Sequence, residues 1–546
     1  MMRPVKPNSR EEDARQQALR RFWLERARAL FQAGDFAACV RRCQAAPFRD
    51  NVDPDALHLL GAALVRRGAL EAGIATLATA LALAPDDVTV RIDHAQALAI
   101  AGRLEDGIAV LEDGRARQPD DPDLAAKLGE FLSDADRHDE AEEVLAAAVG
   151  KAPRHLILRT LLAAEYAASL NIEEALAHLT CALALSPRNS KILANIGVLY
   201  QAIGDLDAAI DYYRQSIAQD PERQAARPNL ATALLTKFDF ETGFAEFESR
   251  LRESHIRNPT ADIPRWRGDA LAGRRLLVTA EQGYGDMLQY ARFLPALAAL
   301  GGHVTVECPP GLERLFAMLS GVDRVVARDE PLPDADLAIP LLSVPYVQGY
   351  AMDDVMGAIP YLAVPPGVCF TLPDEGLLKV GLVWAGRPAT GEVYLRRSLN
   401  RRRCPLAALA PLVTIPGARF FSLQVGEAAE EISSSGLSLV DLSGHLDDFA
   451  DTAAAIAGMD LIISIDTATA HLAGAMGAPL WVMLAPGQSD YRWGVGNSTP
   501  WYPHARLFRA DRSGGWPAVI RMMTAELGRM AKLHARRQIK SVLPNP

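Results

Sequence analysis

Six cysteines in 546 residues are too few and too scattered for a disulfide framework. Cys39 and Cys43 stand four apart, but no second pair of soft ligands occurs at metal-finger spacing, which argues against a zinc site. Small buried thiols are the reading for all six, with Cys181, Cys308, Cys369 and Cys404 completing the set. Positive charge is also in short supply. With 57 basic against 67 acidic residues the net charge is -10, which removes the usual electrostatic footprint of a nucleic-acid binder. Long apolar runs are missing too. The most apolar region, residues 456–484, is interrupted by Asp460, Asp466 and His471 and falls short of the ~20 residues that cross a bilayer, so no transmembrane segment is expected. Residues 1–21 are polar and lack the apolar stretch of a secretory signal, so a cytoplasmic location is expected. The composition is globular, 49% hydrophobic and 23% charged, and at roughly 150 residues per domain the length suits about three to four folding units.

Prolines stand at 85, 119, 153, 187 and 221, each 34 residues from the last. Glycines keep a second phase of the same period at Gly34, Gly68, Gly102 and Gly204, with Asp136, Leu170 and Phe238 in the remaining slots. Glycine suits the tight turn between paired helices, and proline stops the second helix before the next pair begins. A period of 34 is that of the tetratricopeptide helix-turn-helix unit, and residues 195–221 resemble it closely, with Gly197, Tyr200, Gly204, Ala208, Tyr212 and Pro221 in place. One such unit cannot bury its apolar face alone, so about seven, from residue 17 to 251, are expected to stack into a solenoid whose concave surface grips a protein. Asn195 and Asn229 occupy the same position in successive first helices. Aligned along the concave face they can hydrogen-bond the backbone of an extended acceptor chain, against the plain alternative of surface polarity.

Past residue 260 the 34-residue period ends. Residues 276–280 read as a strand, then come a glycine loop, an amphipathic helix to about Leu300, a stop at Gly301 and a second strand at 303–307. After a proline-rich crossover, the segments KVGLVWAG, ARFFSLQ, LSLVDL, DLIISID and PLWVML read as five more strands interleaved with helices. Two doubly wound halves of this kind bind ligands at the carboxyl edges of their strands.

The run EQGYGDMLQYARFLP, VGLVWAG, RRSL, FFSLQVG, the segment from DFADTAAAIAGMD through IISIDTATAHLAGAMGAPLWVML, and WYPHARLFR resembles the heptosyltransferase-type glycosyltransferases. The version it is similar to is fused behind tetratricopeptide repeats and glycosylates other proteins, flagellin among them. The resemblance covers residues 270–530. It implies an all-α solenoid followed by an α/β fold of the GT-B type with two Rossmann-like lobes, no bound metal or cofactor, and a nucleotide sugar as substrate. The expected layout is a tail (1–16), the solenoid (17–251), a junction (252–270), an acceptor-side lobe (271–372), a nucleotide-sugar lobe (373–534) and a tail (535–546).

Each site assignment has a plain structural alternative. Asp286 matches the position of the proposed general base, which takes the acceptor's proton; as a bare residue it would cap a helix beginning at Met287. Gly283 and Gly285 permit close backbone approach to the donor, but no third glycine completes a dinucleotide fingerprint. Gln289 stands where the resembling enzymes tend to carry histidine, a departure that weakens a heptose acceptor. Asp466 and His471 match the donor-site motif at the start of a helix, where amides and dipole suit a phosphate and the Thr467 hydroxyl could add a contact; the alternative is a helix capped by Asp466 and Thr467 with a packed histidine. Arg397 and Ser398 match an arginine-serine pair that would steady the departing phosphates, while Arg396, Arg401, Arg402 and Arg403 read as a solvated face. The function expected is a cytoplasmic glycosyltransferase acting on a protein acceptor. The alternatives are a repeat scaffold whose transferase-like part only binds, and lipopolysaccharide heptose transfer, which needs no repeats.

Overall fold

The computed structural model describes residues 9–45, 53–221, 226–252, 259–260, 262–351, 354, 359–373, 375–386, 402–486, 490–510 and 515–542. The chain divides into two compact units, residues 1–187 and 188–546.

Among the described residues the first unit is helical, with ten helices in five pairs: α1 (Ser9–Gln32), α2 (Phe36–Gln44), α3 (Pro54–Arg66), α4 (Leu70–Leu83), α5 (Val88–Ile100), α6 (Leu104–Arg117), α7 (Pro122–Asp134), α8 (His138–Lys151), α9 (Leu156–Ala168) and α10 (Ile172–Leu185). The 34-residue period fixes their ends. Asp53, Asp87 and Asp121 accept backbone N–H bonds as N-caps of α3, α5 and α7, and His155 does the same for α9 through Nδ1. Each such cap contributes about 1 kcal/mol. Pro85, Pro119 and Pro153 fall two residues past the ends of α4, α6 and α8, where no helical N–H is needed. Between the helices of each pair the chain enters the left-handed region. Gly34, Gly68 and Gly102 do so at φ 77°, 82° and 78°, and Asp136 and Leu170, in the same phase, do so at 59° and 65°. The turn is therefore dictated by the repeat, and residues that disfavour it are carried along by the packing on either side.

The second unit begins with two more pairs, α11 (Ser190–Ile203), α12 (Leu206–Gln219), α13 (Arg227–Thr236) and α14 (Phe240–Phe247), so the last repeats group with the sheet region. A first sheet assembles β1 (Arg275–Thr279), β2 (His303–Cys308), β3 (Arg324–Ala327) and β4 (Leu337–Pro340) in the order β3-β2-β1-β4, all parallel. A second sheet assembles β5 (Leu378–Val383), β6 (Ala418–Ser422), β7 (Val440–Asp441), β8 (Leu461–Ile465), β9 (Leu480–Leu484) and β10 (Ala505–Arg509) in the order β10-β9-β8-β5-β6-β7, again parallel. Counted within each sheet these are the doubly wound orders 3-2-1-4 and 3-2-1-4-5-6, whose winding reverses between β1 and β4 and between β5 and β8. Strands β8 and β9 are buried at every position, which is why they read as unbroken apolar runs. The helices that matter to the site are α15 (Tyr284–Tyr290), α16 (Phe449–Ala457) and α17 (Ala468–Ala475), and a long α18 (Gly515–Val542) packs against β5 and β10.

Three expectations need correction, and the expected junction proves to pair with a strand. The helix expected to run to Leu300 ends at Tyr290 and continues as two short 3-10 turns, 291–293 and 295–300, the second opened by Pro295. It also begins at Tyr284 rather than Met287. Within the expected junction, Trp266 is fully buried and pairs with β4: its N–H donates to the Ala338 carbonyl at 2.9 Å, and the Ala338 N–H donates to the Pro264 carbonyl at 3.0 Å. Of the thiols, Cys181 and Cys369 are exposed and not buried.

Candidate functional site

Gly283, Gly285 and Asp286 follow the carboxyl end of β1, and Asp466, Thr467 and His471 follow that of β8. After β1 the chain turns through Gly283, which is extended, into α15. Asp286 sits in the first turn of that helix and accepts from the Gly283 N–H at 3.0 Å, satisfying one free donor at the helix start. After β8, Thr467 caps α17 and its hydroxyl lies 2.8 Å from that of Ser464. The two helices pack against each other. A Cβ on Gly285 would stand 2.9 Å from Cδ2 of His471, so glycine is what allows this approach.

The electrostatics of the meeting point rest on a residue that no sequence motif marks. Arg492, in the short turn Tyr491–Trp493, is nearly fully buried, its side chain 5% exposed. It donates to Asp286, to the Gln289 side-chain oxygen and, at 2.6 Å, to Asp490. Burial favours the neutral forms, yet Arg492 remains charged because Asp490 and Asp286 face it, and Asp490 is held below its ordinary value by the same arginine. Asp286 therefore has both oxygens engaged, one by its own helix start and one from the second sheet's side. The Gln289 side-chain nitrogen, fully buried, has no hydrogen-bond partner among the described residues.

Asp466 is bound as tightly. Trp493 donates to one oxygen at 2.8 Å and Arg402 to the other at 3.0 Å. Burial raises its pKa and Arg402 opposes that rise. Arg402 thus belongs to the site, contrary to its reading as part of a solvated face, whereas Arg403 is half exposed and pairs with Glu431. His471 is 3% exposed, stacks on Trp493 at 5.0 Å and places Nδ1 3.0 Å from the Tyr502 hydroxyl. Burial lowers its pKa to about 3, so with no phosphate beside it the ring is neutral at ordinary pH. Arg397 and Ser398 lie outside the described residues. The chain leaves β5 towards them through Trp384 and Ala385, whose N–H groups both donate to the buried Gln424 at 3.2 and 2.9 Å. Gln424, at the end of FFSLQ, fixes that point of departure at the β5/β8 reversal. Asn195 is exposed on α11 and Asn229 half-buried on α13, one repeat apart.

Models of the tetratricopeptide repeat match residues 64–130, 98–165 and 190–223. The chain thus carries tetratricopeptide repeats, which precede a region of parallel sheets and helices. Protein FlbA of Caulobacter vibrioides is 31% identical over 336 residues, which make up 54% of this chain and 54% of FlbA, so the chain spans about half the length of that relative. Among solved structures, MamA from Desulfovibrio magneticus is similar at 19% identity and a TM-score of 0.28, over 30% of this chain and 97% of that one. A tetratricopeptide repeat protein from Parabacteroides merdae is similar at 14% identity and a TM-score of 0.36, over 43% and 93%. No helix among the described residues is long and apolar enough to cross a membrane.

Proposed function

We propose that the chain is a glycosyltransferase of GT-B architecture, independent of metal, that moves a sugar from a nucleotide-activated donor to a protein acceptor, flagellin being one candidate, held by the repeats. The observation that carries this reading is the meeting of α15 and α17 at the carboxyl edges of two doubly wound sheets, with Asp286 on one side and the N-terminus of α17 on the other. Donor phosphates would lie against the amides at the start of α17, with Thr467 beside them and Arg397 and Ser398 as further contacts. In the transfer step the bond from the anomeric carbon to the phosphate oxygen breaks, and the nucleotide leaves with the electron pair. The acceptor oxygen bonds to that carbon, and its proton passes to the Asp286 carboxylate. His471, in the first turn of α17, packs on Trp493 and against Gly285 and would be a further donor-side contact. Asn195 and Asn229 would hold the acceptor backbone.

One observation favours a second reading. Because both Asp286 oxygens are engaged, a repeat scaffold whose sheet region only binds a ligand accounts for the same geometry. Thermal unfolding with a panel of nucleotides and nucleotide sugars tests the first reading. A ligand at a hundred times its Kd stabilises the folded state by about 2.7 kcal/mol. A melting shift with one base and not the others supports a donor site, and no shift at millimolar concentration with any of them leaves the scaffold.

A further inference from the structure

The last helical pair, α13 and α14, and the turn that follows it contact the loops on both sides of the candidate site. The 3-10 turn Glu248–Arg252 comes directly after α14, and there the Arg250 side chain is 4% exposed. Its Nε and Nη2 donate to the two oxygens of Glu281 at 2.9 and 2.7 Å, Nη2 also reaches the Ser343 hydroxyl at 2.9 Å, and Nη1 donates to the Phe247 carbonyl and to Glu248, both at 3.0 Å, Glu248 being held by Arg265 as well. Glu281, its side chain 1% exposed, opens the loop that leads through Gly283 to Asp286. The other side is met by rings of the same pair. Phe247 stands edge-on to Tyr491 at 6.2 Å, and Phe240 to Trp501 at 5.2 Å. Phe238, in the repeat's left-handed slot at φ 63°, lies so close to Gly494 that a Cβ there would come within 2.7 Å of its ring. Tyr491 and Gly494 bracket Arg492 and Trp493, which grip Asp286 and Asp466.

Resting on the transferase reading of this site, we infer that the last helical pair is a built-in part of it, with Arg250 a positioning residue for the loop that carries Asp286. A buried ion pair is seldom worth more to stability than two apolar side chains of the same size, because both charges lose their water. What a bidentate arginine–carboxylate pair supplies, and apolar contact does not, is a fixed angle and distance. That distinction is what a double substitution isolates.

The test uses the full chain. Arg250→Met with Glu281→Met should melt within a few degrees of the parent, while amide exchange across residues 281–286 speeds up by about tenfold or more and exchange in residues 9–187 stays unchanged. Turnover should fall by about tenfold to a hundredfold with the acceptor KM little changed, because only the reacting geometry is loosened. Arg250→Lys keeps the charge but not the fork and should lie between parent and double variant in both readouts, which keeps the inference testable if the double variant does not fold. Parent-like exchange at 281–286 in either folded variant overturns the inference. The exchange readout needs no turnover, so a parent protein that transfers no sugar removes the proposed function and leaves this inference to be decided by exchange alone.

Discussion

Arg492 and Asp286 are 206 residues apart in sequence and form an ion pair that ties the loop edge of the second sheet to the first helix of the first sheet. The pair is mostly buried, and Asp490 and Gln289 complete the arginine's partners. Removing Arg492 leaves Asp286 and Asp490 without compensation in a water-poor place, whereas removing the Asp286 charge leaves Arg492 its pair with Asp490.

Arg492→Gln should therefore lower the stability of the sheet region by about 3 to 5 kcal/mol, the range for breaking a buried pair from one side. Asp286→Asn keeps one acceptor oxygen, enough for either the Gly283 N–H or Arg492 but not for both, and sets an amide N–H against the other donor, so its stability cost should be about 1 to 3 kcal/mol while sugar transfer drops about a hundredfold to ten-thousandfold. Denaturant unfolding beside a transfer assay checks both. Near-normal transfer by Asp286→Asn would return Asp286 to a helix cap.

His471 gives the sheet region a pH dependence of definite sign. Burial, with Arg492 and Arg292 adding to it and Asp490 opposing, puts its pKa at about 3 against an ordinary 6.5. The folded value is depressed, so the unfolded chain takes up the proton first. The neutral ring's contribution is complete above pH 6.5 and is lost as pH falls from there towards 3. Relative to His471→Gln, the parent should lose up to about 1.4 kcal/mol per pH unit in that window. Parallel unfolding profiles of the two proteins would contradict it.

Two glycines in the first unit predict opposite effects of one substitution. Gly102 is left-handed at φ 78°, and a Cβ there would meet nothing within 4 Å, so Gly102→Ala should cost about 1 kcal/mol from backbone strain alone. Gly150 lies in α8 with equally open space, and Gly150→Ala should add about 0.5 to 1 kcal/mol. Thermal unfolding of the two variants against the parent measures both signs.

Acceptor capture is tested on the repeats. Asn195→Ala with Asn229→Ala should weaken acceptor binding by about 1 to 3 kcal/mol and leave nucleotide binding unchanged, as read by calorimetry. Unaltered acceptor affinity would leave these two residues as ordinary surface polarity.

The repeats are legible in the sequence because their signal is local and recurs. Even the left-handed slots filled by Asp136, Leu170 and Phe238 can be placed by phase, though not by residue type. Strands β8 and β9 announce themselves as apolar runs, while β3, β4 and β10 do not, being short or mixed in character. The neighbourhoods of Asp286 and Asp466 are marked by glycine loops and a strand end. Their partners are not. Arg492 and Trp493 sit in a short turn with no periodicity, and what gives them meaning is contact with residues hundreds of positions earlier or on another strand. Arg402 looks like one of several surface arginines until the fold brings Asp466 beside it. Phe238 carries a signal of another kind, since an aromatic in a glycine slot asks what its ring packs against.

Whether this chain transfers sugar to protein is tested most directly by intact-mass comparison of proteins from the source cell, with and without the gene. The expected result is a protein that carries a sugar-sized mass increment in the parent, loses it on deletion, and regains it with the parent gene but not with Asp286→Asn. Identical protein masses in parent and deletion strains would contradict the transferase and leave a repeat scaffold with a ligand-binding sheet region.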